Sequence, residues 1–168
     1  MNQAANVSID FSFCMDDISL VVSELRNPTI KKRRAAAILL GKSADLSAIP
    51  HLIEALSDTH PGVRSDVVQA LGRLGDSSAV AALITSLDDT DTMVRAATIA
   101  AIGKLKDRDA VNPLIRCLHD KEIIIRIGAA EVLGKLRDHR AIGPLKNLLN
   151  DPFSQVREAA EEAIQNLR

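Results

Sequence analysis

A chain of 168 residues, 46% hydrophobic and 26% charged, has the composition of a globular protein, and a formal net charge of −1 excludes a surface whose overall field draws nucleic acid or anionic lipid. With three Phe, no Trp and no Tyr, the core must be built from Ala, Leu, Ile and Val, which suits closely packed helices. Two cysteines, Cys14 and Cys117, exclude a disulfide framework, residues 1–15 lack the pattern of a secretory signal, and no apolar run approaches the length of a membrane span, so a cytoplasmic location is expected.

Residues 1–15 are predicted as an N-terminal arm, partly disordered, whose Phe11 and Phe13 cover the end of the domain that follows. From residue 16 onward the chain repeats itself. Arg33, Arg64, Arg95, Arg126 and Arg157 stand 31 residues apart, and other columns keep the same step: Gly41, Gly72, Gly103 and Gly134; Asp45, Asp76, Asp107 and Asp138; Ala48, Ala79, Ala110 and Ala141; Leu25, Leu56, Leu87, Leu118 and Leu149. A fixed period of this size is the signature of a solenoid, in which each unit buries its apolar face only against its neighbours.

Within a unit, apolar spacing predicts two antiparallel helices. Val63, Val67, Leu71 and Leu74 form one stripe at helical spacing, Gly75 and Asp76 break it, and Val80, Leu83, Ile84 and Leu87 form the next. Carried through the register, this predicts ten helices, at 16–26, 29–42, 46–57, 61–74, 77–88, 92–105, 108–119, 122–136, 139–150 and 153–167. A glycine inside a helix costs about 1 kcal/mol relative to alanine, so its recurrence at 41, 72, 103 and 134 implies close approach of a neighbouring helix.

The segment Asp107 to Ile115, the Val94-Arg95-Ala96-Ala97 motif, Gly103 and the 31-residue spacing resemble the HEAT-like repeats of phycobilisome lyases. The resemblance covers residues 16–168 and implies an all-α, right-handed α-solenoid of five helical hairpins. It further implies that the Val-Arg helices line the concave face and that the other row is outer. The repeats depart from the pattern at Ser43, which replaces leucine, and in the outer helices, where Pro113 and Pro144 keep their place, Pro50 is displaced and 80–87 has no proline.

The arginine column suggests anion binding, but each arginine lies six residues after Asn27, Asp58, Asp89, Asp120 or Asp151. An inter-repeat ladder of charge-assisted hydrogen bonds accounts for both columns. The basic run Lys31 to Arg34 is read as a solvated helix start, with the stem of Lys32 near the core because Lys32 shares a column with Val63, Val94, Ile125 and Val156. A second basic row, Lys42, Arg73, Lys104 and Lys135, falls near helix C-termini, where cations complement the dipole.

No catalytic, cofactor or metal site is expected. Gly41-Lys42-Ser43 lacks the earlier glycine of a phosphate-binding loop and closes a helix instead of opening one. His51, His60, His119 and His139 have none of the His-Glu pairs by which HEAT-like deoxyhypusine hydroxylases hold iron. Cys117 occupies a packing column.

The inner columns predicted to face solvent are polar at both ends and apolar in the middle. Met93, Ala96, Ala100, Ile124 and Ile127 are expected to form an apolar patch bordered by Lys104, Glu131 and Lys135, and such a patch with a polar rim marks an interface. The expected function is therefore a non-enzymatic scaffold or adaptor that binds a protein on its concave face, with a homodimer through the same patch as another occupant. The resemblance implies an alternative, a bilin lyase or bilin-handling factor for phycobiliproteins. A further alternative, DNA binding as in HEAT-like alkylpurine glycosylases, is disfavoured by the near-zero net charge and the absence of Trp and Tyr.

Overall fold

The computed structural model describes residues 18–167. The expected N-terminal arm, with Phe11, Phe13 and Cys14, lies outside them. Ten α-helices follow one another as five hairpins: α1 (Ile18–Glu24) with α2 (Ile30–Leu40), α3 (Ile49–Ala55) with α4 (Pro61–Leu74), α5 (Val80–Ser86) with α6 (Thr92–Leu105), α7 (Val111–Cys117) with α8 (Ile123–Leu136), and α9 (Ile142–Leu148) with α10 (Ser154–Asn166). No described residue is in a strand.

Each outer helix from α3 onward differs from expectation at its start. It opens with a 3-10 turn, at Leu46–Ala48, Ser77–Ala79, Arg108–Ala110 and His139–Ala141. The cause is the aspartate column: the carboxylates of Asp45, Asp76, Asp107 and Asp138 accept the backbone N–H two residues on at 2.8 to 3.0 Å, which tightens the first turn. The alanine that closes each turn is wholly buried at 48, 79, 110 and 141, where a larger side chain has no room.

The inner helices α2, α4, α6, α8 and α10 pack directly against one another, whereas α5 and α7 meet the 3-10 turns that open the next outer helices, at Arg108–Ala110 and His139–Ala141. The glycine column explains the closeness: a Cβ on Gly41 would lie 2.6 Å from Ala70 Cα, and one on Gly134 2.8 Å from Ala163 Cα. The core between the two rows is aliphatic, and Leu52, Val67, Leu83, Ile102, Leu114, Ile125 and Leu133 are essentially inaccessible to solvent.

The arginine ladder joins the repeats, in a direction the sequence did not reveal. Nε and Nη2 of Arg33, Arg64, Arg95 and Arg126 donate to both carboxylate oxygens of Asp58, Asp89, Asp120 and Asp151, each 25 residues ahead in the following unit, at 2.6 to 3.1 Å. The residue six positions back supplies its backbone carbonyl to Nη1, at 2.8 to 3.0 Å. Each of these four carboxylates also accepts the N–H two residues on, from His60, Asp91, Glu122 and Phe153, so one aspartate holds its own turn and the arginine of the unit before it. Asn27 keeps the turn bond, from Thr29 N–H at 2.9 Å, without the charge. No described arginine in an earlier unit needs it. At the other end Arg157 donates to the Asp151 and Pro152 carbonyls and meets no carboxylate among the described residues.

Truncating Arg95, which is 6% exposed, strands the half-buried Asp120 carboxylate. Arg95→Ala is expected to cost about 3–5 kcal/mol in urea denaturation, the range for removing one member of a buried ion pair. Burial pushes the Asp58, Asp89 and Asp151 carboxyls up, but hydrogen bonds from their arginines and turn N–H groups outweigh it and leave all three below the usual range. Their stabilisation is thus complete above the unfolded value near about 4 and is lost as pH falls through the lower folded values, so an acid titration followed by circular dichroism should show stability falling only below about pH 4.

Candidate partner-binding surface

Helices α6 and α8 each bury one side and present the other along the inner row. In α6, Val94, Thr98, Ile99, Ala101 and Ile102 are buried, and the Thr98 hydroxyl is satisfied by the Val94 carbonyl at 2.8 Å. Met93, Ala100 and Lys104 are exposed. In α8, Ile125, Ala129, Ala130, Val132 and Leu133 are buried, while Ile124, Glu131 and Lys135 are exposed. Met93 at 65% and Ile124 at 54% are among the most exposed large apolar side chains in the described chain, one directly after the other in the same column.

Ala96 and Ile127 differ from this picture. Both are half-buried and packed against the core. The exposed apolar surface is therefore narrower than the column pattern suggests and is anchored on Met93 and Ile124.

The polar ends of the same surface hold a contact that column reasoning missed. Arg34 Nε donates to Asp66 Oδ2 at 2.6 Å, and Asp66 is buried. The available signal was its column: Asp66 is the one charged residue in a set otherwise made of Ala35, Ala97, Gly128 and Ala159, so it had to find a cation on an adjacent helix. Lys32 also departs from expectation. It remains exposed and reaches the Glu24 carboxylate at 3.7 Å, and among the described residues no earlier inner helix covers that column.

Lys42, Arg73, Lys104 and Lys135 are all exposed at the C-terminal edge of the inner row, and none makes an ion pair among the described residues. Cys117 is buried, and burial, with Asp120 and Asp88 nearby, pushes its thiol up to about 11, so it stays protonated at neutral pH. Its Sγ–H donates to the Pro113 carbonyl at 3.5 Å. Among the described residues no cluster of His, Cys, Asp and Glu is placed to hold a metal ion, and no helix is long and apolar enough to cross a membrane.

Two open hollows have volumes of about 180 and 490 Å³. One is bounded by Val22, Arg26, His51 and Glu54, the other by His119, Pro144, Asn147 and Phe153. Both are walled partly by ladder aspartates already engaged, and neither includes Met93 or Ile124.

The stacked hairpins, the recurring glycine contacts and the arginine ladder define an α-solenoid of short helical repeats. Residues 18–100 and 80–165 match the family model for HEAT repeats, and the chain belongs to that family. The fold is similar to that of the complex of CpcE and CpcF of phycocyanin lyase from Nostoc sp. PCC7120, with a TM-score of 0.77, 29% identity and 89% of this chain covered. The match spans 64% of that lyase chain. A designed armadillo repeat protein in complex with the peptide (KR)4 is similar in fold at TM-score 0.68 and 19% identity, covering 90% of this chain and 82% of that one. An engineered protein of the same shape matches at TM-score 0.68 and 18% identity, over 89% of this chain and 78% of its own. None of the curated proteins matches the sequence.

The different burial of adjacent columns gives a direct check. Ile124→Glu should change the unfolding free energy by no more than about 0.5 kcal/mol, as surface substitutions do, whereas Ile127→Glu should cost about 1–3 kcal/mol by placing a carboxylate against the core, both read from urea titrations.

Proposed function

We propose that this chain is a HEAT-repeat binding module that engages another protein across the inner-helix surface of α6 and α8. Met93 and Ile124 serve as anchors, with Ala96, Ala100 and Ile127 beside them and Lys104, Glu131 and Lys135 as the polar rim. The observation that carries this reading is the exposure of Met93 and Ile124 in a column that is otherwise Lys31, Gly62 and Gln155. Two adjacent large apolar side chains gain nothing from standing in water, and repeat stacking does not use them. Removing apolar area of this kind from water is worth roughly 25 cal/mol per Å², enough to anchor a partner when a polar rim fixes orientation.

A second reading is favoured by the similarity to phycocyanin lyase, at an identity high enough to bear on more than fold. In it, the same inner surface takes part in attaching, removing or handling a bilin on an antenna protein.

The Met93→Glu, Ile124→Glu double variant separates these readings from a purely structural role. Its thermal midpoint should match the wild type, while co-purification of a protein partner from native lysate should be lost. Retention of every partner by the double variant would sink the assignment of this surface. Sedimentation of the purified wild type shows whether a second copy occupies the patch, and a bilin absorbance change on mixing, abolished in the double variant, would select the second reading.

A further inference from the structure

The net charge of −1 conceals a basic edge. Lys42, Arg73, Lys104 and Lys135 recur once per repeat at the C-terminal end of the inner row, exposed and without ion-pair partners among the described residues. Two residues further on, the chain leaves α6 and α8 through Lys106 and Arg137, both left-handed at φ 55° and φ 51°. The same turn after α4 is made by Gly75 at φ 73°, which has no Cβ to strain. The turn two residues after Lys42 is made by Ala44 at φ 58°, so the backbone accepts a non-glycine residue there, and what sets repeats three and four apart is that the residue is a cation beside the exposed cation of the row.

We propose that this edge binds an extended acidic polypeptide segment, with one carboxylate for each repeat. Neighbouring packed helices lie about 8–10 Å apart, and a polyproline-II segment advances about 3.1 Å per residue with every third side chain on one face, so such a segment laid along the edge meets successive cations at every third residue. Discrete carboxylates fit better than a phosphodiester backbone. The chain has no Trp or Tyr on which bases would stack, and its net charge of −1 lacks the excess of positive charge that a continuous line of phosphates would call for. The inference shares Lys104 and Lys135 with the proposed rim but does not use Met93 or Ile124, so the two proposals fail separately.

The test uses a fluorescein-labelled peptide with glutamate at every third position, separated by glycine and serine, and fluorescence anisotropy with the full chain. The wild type should bind it more tightly than a peptide carrying the same glutamates in one block, and binding should weaken as ionic strength rises past about 0.1 M, where charges are screened beyond about 10 Å. Lys106→Gly with Arg137→Gly should bind about five- to tenfold more weakly, as loss of two exposed ion pairs implies, while the thermal midpoint holds or rises because strain is removed. The Met93→Glu, Ile124→Glu variant should bind the peptide as the wild type does. Unchanged affinity in the double glycine variant, equal binding of the spaced and blocked peptides, or tighter binding of a single-stranded oligonucleotide at the same salt would each overturn the proposal.

Discussion

The arginine–aspartate rung is the interaction on which the rest of this molecule depends. A repeat of two short helices cannot bury enough apolar surface to stand alone, and packing between aliphatic faces is tolerant of sliding. The rung removes that tolerance. A planar guanidinium bound at both nitrogens to one carboxylate fixes distance and orientation together, and its third nitrogen is tied to the carbonyl of its own turn. Each unit is therefore set against the next by a contact with one geometry, repeated four times among the described residues. The pitch of the solenoid, and hence the spacing of every surface column, follows from it.

Two further constraints act on the same pitch from either side of the stack. On the inner row, glycine lets the next helix approach until its alanine occupies the space a Cβ would need, as Gly72 does for Ala101. On the outer row, the buried alanine of each 3-10 turn sets the approach of the following hairpin. The exception supports the rule: Gly103 faces Val132 instead of alanine, and the valine methyl lies 2.9 Å from where a Cβ would stand. Glycine is needed there for the same reason, against a larger neighbour.

Much of this was legible from spacing alone. Columns at a constant 31-residue step identify the repeat, the glycine contacts and the participation of Arg95 and Asp120 in a ladder, because these features recur identically and average out local exceptions. What spacing cannot give is direction. The aspartate six residues before an arginine and the one 25 residues after it belong to the same column, so only the folded chain shows that the first contributes a carbonyl and the second a carboxylate. Features that occur once were hidden for the opposite reason. The Arg34–Asp66 pair and the exposure of Lys32 beside Glu24 each occur once, and the half-burial of Ile127 comes from its packing against the core, which no single column records.

The division of labour among columns also explains where function can reside in such a chain. Positions locked by the rung, the glycine contact or the buried alanine leave no freedom, since any change there alters the pitch of the whole stack. The first inner-helix column, by contrast, holds Lys31, Gly62, Met93, Ile124 and Gln155 without any consequence for packing. A column that varies in polarity while its neighbours are fixed is free to be specified by something outside the fold. The turns after the inner helices sit between these extremes. Gly75 shows the unstrained solution; Ala44, Lys106 and Arg137 depart from it, and the two cationic departures lie in the repeats that also carry Met93 and Ile124. Exposed apolar anchors and left-handed cations thus fall in the same two units, at opposite ends of α6 and α8, so a partner that covers both reads two neighbouring repeats at once.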